Sequence, residues 1–197
     1  VAAFGGCRCG LRGRAGIDES LSDEQVTVRA RVELNRNLDP VPFPAAVLNE
    51  LCSHALGAAP EECCGLVTGT QAERFQQVHR ITNVMTKMHL ADATLFRRDA
   101  HHAYYMAETE YLRAQKEAES RGQTVTAVYH SHVEAGAYLS EEDLVYAENP
   151  LFPFPRAAQI VLSIVAGRIK EAAIFDIDPS IGGFPVNGGR LLEVVER

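Results

Sequence analysis

The chain has 197 residues, 46% of them hydrophobic and 23% charged, with a formal net charge of -7. That is enough for one domain with a sizeable core, and the acidic balance argues against a nucleic-acid or anionic-membrane surface. No apolar run approaches the roughly 20 residues of a membrane helix, and the early arginines are not followed by the apolar stretch of a signal peptide.

Residues 1–24 are rich in Gly and Arg and carry no helical or strand periodicity, so they read as a flexible leader before a single domain over 25–197. Within the leader, Cys7 and Cys9 lack the further partners of a four-ligand zinc site and read as exposed thiols. All five cysteines, two of them adjacent, fit reduced thiols better than a disulfide framework, which predicts a cytoplasmic setting. Alternation over 25–36 predicts a strand, and the prolines at 40, 42 and 44 break it. A helix follows over 44–56, with Val47, Leu48, Leu51, Cys52 and Ala55 on one face and Gly57 placed to end it. Strands are expected over 63–68 and 73–81, then a loop over 83–92 and a short strand near Leu95-Phe96. The longest helix is expected over 99–118, closed by Arg121-Gly122. Further strands are predicted over 124–129, 159–165, 169–177 and 191–195, the middle two as a hairpin around Gly167-Arg168. Strands interleaved with helices imply an α/β fold around a mixed, mainly antiparallel sheet.

The chemistry gathers at residues 130–143. His130 and His132 follow a β-branched apolar strand, and side chains two apart on a strand share a face. The next seven residues include Gly136 and let the chain turn back, so that Ser140 opens a helix with Asp143 one turn inside it. Two imidazoles and one carboxylate, with a fourth position open, are the ligand set of a catalytic zinc. Read more plainly, these are two strand histidines and a capping box in which Ser140 is the N-cap. The readings are compatible, since Ser140 can cap while Asp143 faces a metal.

The run His130-Ser131-His132, seven residues, then Ser140-x-x-Asp143 resembles the JAMM signature of the MPN+ (JAB-domain) zinc metallopeptidases, in particular their compact prokaryotic members. The likeness extends over about 44–197. That family also carries a distant glutamate before a Cys-Gly pair, and aligning on Cys64-Gly65 selects Glu62 rather than Glu61. Val133 stands where the family commonly has Pro. The resemblance implies a curved sheet with helices on both sides, in the JAB/MPN-like layering shared with cytidine deaminases. It implies one Zn2+ per chain on His130, His132 and Asp143, with Glu62 as general base and Ser140 as oxyanion donor. It also implies a ubiquitin-like or sulfur-carrier substrate cut after its C-terminal Gly-Gly, with the loop 133–139 as a wall of the channel. Two alternatives stand beside it. A metal-free MPN scaffold would serve as an interaction module, and a cysteine hydrolase would use Cys63 or Cys64 as nucleophile. Oligomeric state is open at this stage.

Overall fold

The computed structural model describes residues 31–195, so the expected leader and most of the strand at 25–36 lie outside the described residues. Of that strand, Arg31–Val32 (β1) is seen, and Leu34 makes a single bridge to Gly189. Then come β2 (Val41–Pro44), α1 (Ala45–Ala58), β3 (Cys64–Gly69), β4 (Gln77–Ile81) and α2 (Met85–Ala91). They are followed by α3 (Glu108–Ser120), β5 (Thr124–Val133), β6 (Leu139–Ser140), α4 (Glu141–Ala147), β7 (Ala158–Val165), β8 (Arg168–Phe175) and β9 (Gly189–Val195).

Seven strands form one curved sheet in the order β2-β9-β8-β7-β5-β3-β4, and β1 pairs with β6 beside it. The pairs β2/β9 and β5/β7 are parallel and the rest of that sheet is antiparallel, as the α/β reading expects. Strand alternation divides the interior. Ala127 and Tyr129 of β5, with Ile160, Leu162 and Ile164 of β7, turn to the face covered by α1. Val47, Leu51 and Ala55 meet them from α1 at one-turn spacing, and Leu48 and Cys52 flank the contact. Truncating Leu51, fully buried there, would cost about 2–5 kcal/mol. On the other face, Cys64, Leu66 and Val128 pack against Tyr104, Met106 and Ala114. A third cluster joins Leu139 and Leu144 to Val161, Ala173 and Phe175 under α4.

Gly65 is required by close approach: a Cβ there would lie 2.3 Å from the His79 carbonyl and 2.6 Å from the Tyr129 ring. Three expectations need correction, all between residues 83 and 107. The expected loop at 83–92 contains α2, a short helix with no buried residue. Leu95-Phe96 is not a strand; the Phe96 N–H bonds back to the Asp92 carbonyl at 2.9 Å. The expected helix at 99–118 begins only at Glu108. Before it, the Ala107 N–H donates to the Thr82 carbonyl (3.0 Å) and the Val84 N–H to the Tyr105 carbonyl (2.9 Å). Those long-range bonds hold 103–107 against the end of β4 and outcompete the helix. A smaller correction shortens the strand expected over 73–81 to β4.

Candidate metal centre

β5 lies between β3 and β7, and its C-terminal end carries His130 and His132 on the face away from α1. Both rings are buried, 0% and 6% exposed. The loop 133–139 returns through a left-handed residue, which is Glu134 (φ 54) rather than Gly136. It is pinned without a proline: His132 Nδ1 donates to the Gly136 carbonyl (3.0 Å), the Ser163 hydroxyl to that of Ala135, and the Ala166 N–H to Glu134 Oε1 (2.9 Å). β6 then delivers Ser140 as the N-cap of α4. Its Oγ accepts from the Asp143 N–H (3.2 Å), and Asp143 Oδ2 accepts from both the Ser140 N–H (2.8 Å) and its hydroxyl (2.7 Å). The capping box and the site are thus built from the same carboxylate.

Three donors meet here. His130 Nε2 and His132 Nε2 are 3.2 Å apart, and they lie 3.3 and 3.4 Å from Asp143 Oδ1 and Oδ2 respectively. A tetrahedron with metal–ligand bonds of about 2.0–2.1 Å has edges of about 3.3–3.4 Å. The three separations are close to that edge, with His130 facing Oδ1 and His132 facing Oδ2 of the one carboxylate. The hydrogen bond from His132 Nδ1 leaves the Nε2 lone pair facing the other two groups. Such facing groups are satisfied by a proton on an imidazole or by a cation held between them. Burial works against the Asp143 charge, yet His130 and then His132 hold its carboxyl well below the usual range. Burial lowers His132 too, but its bond to Asp143 carries it above its ordinary value, while burial dominates at His130 and lowers it. The donor set therefore fits a divalent metal.

Glu62 leads into β3 and is 6% exposed. Burial pushes its carboxyl up to about 8, opposed by the nearby His132 and reinforced by Asp143. Its main chain is tied on three sides. The Glu62 N–H donates to the Ala100 carbonyl (2.7 Å), Asn83 Nδ2 donates to the Glu62 carbonyl (2.9 Å), and the next amide, of Cys63, donates to Ser131 Oγ (2.9 Å). Ser131, between the two histidines, thus points to the strand partner and anchors the approach of Glu62.

The structure brings all five sequence-derived residues to one neighbourhood, with different offices: His130, His132 and Asp143 as a donor cluster, Ser140 engaged as cap, and Glu62 as a buried carboxyl within their field. Sequence reasoning missed Tyr104, which stacks on His130 with ring centroids 4.5 Å apart. It also missed Asn83 and Ser131; the position of Ser131 inside the His-x-His pair was the one available signal. Cys63 and Cys64 are buried, and desolvation pushes the Cys63 thiol up to about 12 and Cys64 well above its ordinary value, so neither supplies a thiolate. A cavity of about 540 Å³ opens beside Asp143, walled by Met85, Leu95, Phe96, Tyr105, Val145 and Tyr146 among others. None of its wall comes from 133–139, the expected side; Tyr138 instead packs edge-on against His132 at 5.0 Å.

Residues 44–177, a span holding all five site positions, match the family model described as prokaryotic homologs of the JAB domain. The chain belongs to the prokaryotic JAB-domain family. That family includes peptidases. Among solved structures, this JAB-domain chain is similar to a protein from Desulfitobacterium hafniense, with 19% identity, a TM-score of 0.55, and coverage of 80% of this chain and 94% of that one. It is also similar to a protein from Salinibacter ruber, with 24% identity, a TM-score of 0.50, and coverage of 80% and 91%. Those likenesses show the fold. No protein with a curated description matches the sequence. Among the described residues, no helix is long and apolar enough to cross a membrane.

Proposed function

We propose that this JAB-domain protein is a zinc-dependent peptidase or isopeptidase that cuts after the C-terminal Gly-Gly of a ubiquitin-like or sulfur-carrier protein. The observation that supports it most is the convergence of buried His130, His132 and Asp143 within ligand reach of one another, with a buried carboxyl, Glu62, in their field. His130, His132 and Asp143 would hold the metal, whose Lewis acidity polarises a carbonyl and acidifies water. Glu62 takes a proton from the attacking water as its oxygen bonds to the scissile carbon. It then returns that proton to the leaving amine as the C–N bond breaks. Ser140 donates its hydroxyl to the oxyanion, at the expense of its bond to Asp143. Buried Tyr104, stacked on the ring, keeps bulk water from the back of His130. The free thiols of Cys52, Cys63 and Cys64 are in keeping with a cytoplasmic setting.

Glycine suits such a site because a residue without Cβ lets the main chain come close to a metal. The test is a ubiquitin-like domain ending in Gly-Gly and fused to a second chain, with products read by mass spectrometry. A cut just after the second Gly, lost on replacing either Gly by Val and on chelation, is the expected result. A cut elsewhere, or indifference to the change, rejects the substrate class. A folded protein that takes up no zinc when supplied with it rejects the peptidase reading and favours a scaffold.

A further inference from the structure

Asn83 follows β4 by two residues and is half-buried. Its side-chain amide makes four hydrogen bonds, all to main chain. Nδ2 donates to the carbonyls of Glu62 (2.9 Å) and Ala103 (3.1 Å), and Oδ1 accepts from the N–H groups of Met85 (3.0 Å) and Tyr105 (3.0 Å). An amide offers two donor hydrogens and two acceptor lone pairs, so this one is saturated. Met85, Ala103 and Tyr105 belong to the wall of the 540 Å³ cavity. The fourth partner is the residue assigned as base.

We infer that Asn83 is a positioning residue that sets the main chain of Glu62 in register with the cavity wall, so that base and bound substrate keep a constant separation. The inference rests on the general-base reading of Glu62. The other two ties run to different places, from the Glu62 N–H to Ala100 and from the Cys63 N–H to Ser131, and neither of those reaches Met85, Ala103 and Tyr105 together. Asn83 alone among these contacts joins the base to three points of the wall. With the Glu62 carbonyl released, its carboxylate is free to drift, and a displacement of about 1 Å in a reacting group costs about 10²-fold in rate.

Asn83→Asp separates the two halves of the amide. The acceptor half is kept for Met85 and Tyr105, whereas both donors are lost and a charged oxygen faces the Glu62 and Ala103 carbonyls. On the Gly-Gly fusion above, kcat should fall about 10–100-fold, the range for residues that orient a site from behind. KM should stay within about threefold because the wall keeps its Met85 and Tyr105 bonds. Zinc content should remain one per chain, since no donor is touched. Unchanged kcat, or a loss of activity that tracks loss of zinc, overturns the inference. If Asn83→Asp does not fold, Asn83→Ala carries the same measurement without the added charge; failure of both to fold would make Asn83 a residue of the fold and also overturn it. A Glu62→Gln variant with full activity would show that the general-base reading had failed first. An inactive Glu62→Gln beside a fully active Asn83→Asp would sink the positioning role alone.

Discussion

β5 and the segment 83–107 reach the site from two sides, and they are built on opposite terms. β5 is paired on both edges, its side chains from Ala127 to His132 are buried, and its two histidines inherit the pleat of the sheet. The segment 83–107 has one short helix with no buried residue, an exposed Leu90 and Leu95, and a main chain held by side-chain bonds such as those of Asn83 and Thr86. The first supplies candidate metal donors, for which placement within a few tenths of an ångström matters. The second supplies most of a cavity wall. The candidate donors sit where secondary structure holds them, and the cavity wall sits where individual hydrogen bonds do.

Variants can break that contrast. The largest effect is expected at the donors: His132→Ala or Asp143→Ala should abolish activity and remove most of the zinc by elemental analysis. Asp143→Ala should also lower stability by about 1 kcal/mol, through the half of the capping box it supplies. Zinc retained at full stoichiometry in both variants would refute the donor assignment.

Next comes Glu62→Gln, which should keep zinc and fold yet reduce kcat by about 10²–10⁴-fold, whereas Glu61→Gln, at an exposed position, should be close to neutral. A base must be ionised, so activity falls as pH drops through the carboxyl's pKa. Because burial raises that pKa from 4.5 toward about 8, and a cation in the site draws it down again, the acid limb of kcat/KM should lie between those values. In the metal-free protein the sign for stability is opposite. The contribution of a carboxyl raised on folding is complete below 4.5 and is lost as pH rises through about 8, so Glu62→Gln should flatten that decline in Tm.

Ser140→Ala should cost about 10²–10³-fold in kcat if the hydroxyl serves the oxyanion, together with about 1 kcal/mol of stability from the lost cap. A stability loss with unaltered kcat would confine Ser140 to capping. The smallest effect is expected across the cavity. Leu95, 71% exposed, can be changed to Asp with less than about 0.5 kcal/mol lost, and KM should rise a few-fold with kcat unchanged. A kcat loss there as large as at Ser140 would erase the distinction between the two sides.

Legibility followed the same line. The donors were readable because period-2 spacing and a capping box fix direction locally: His130 and His132 share a face by the pleat, and Ser140-x-x-Asp143 places a carboxylate one turn into a helix. The α1 face was readable from Val47, Leu51 and Ala55 for the same reason. Residues 83–107 were not, because what shapes them is non-local. Asn83 binds Glu62 across 21 positions and Tyr105 across 22, and no periodicity encodes such a partner.

By itself the sequence determined the α/β class, the α1 face and the candidate donors at 130, 132 and 143, all set by side-chain direction relative to the neighbouring main chain. Only the tertiary structure decided that Tyr104 lies against His130 instead of on a helix, that Glu134 makes the left-handed turn, and that the cavity opens toward α2 and α4 rather than toward 133–139. The physical reason is the range of the forces. Backbone geometry acts within a turn or a pleat. A saturated amide or a stacked ring is settled by which distant groups close packing brings within about 3–5 Å.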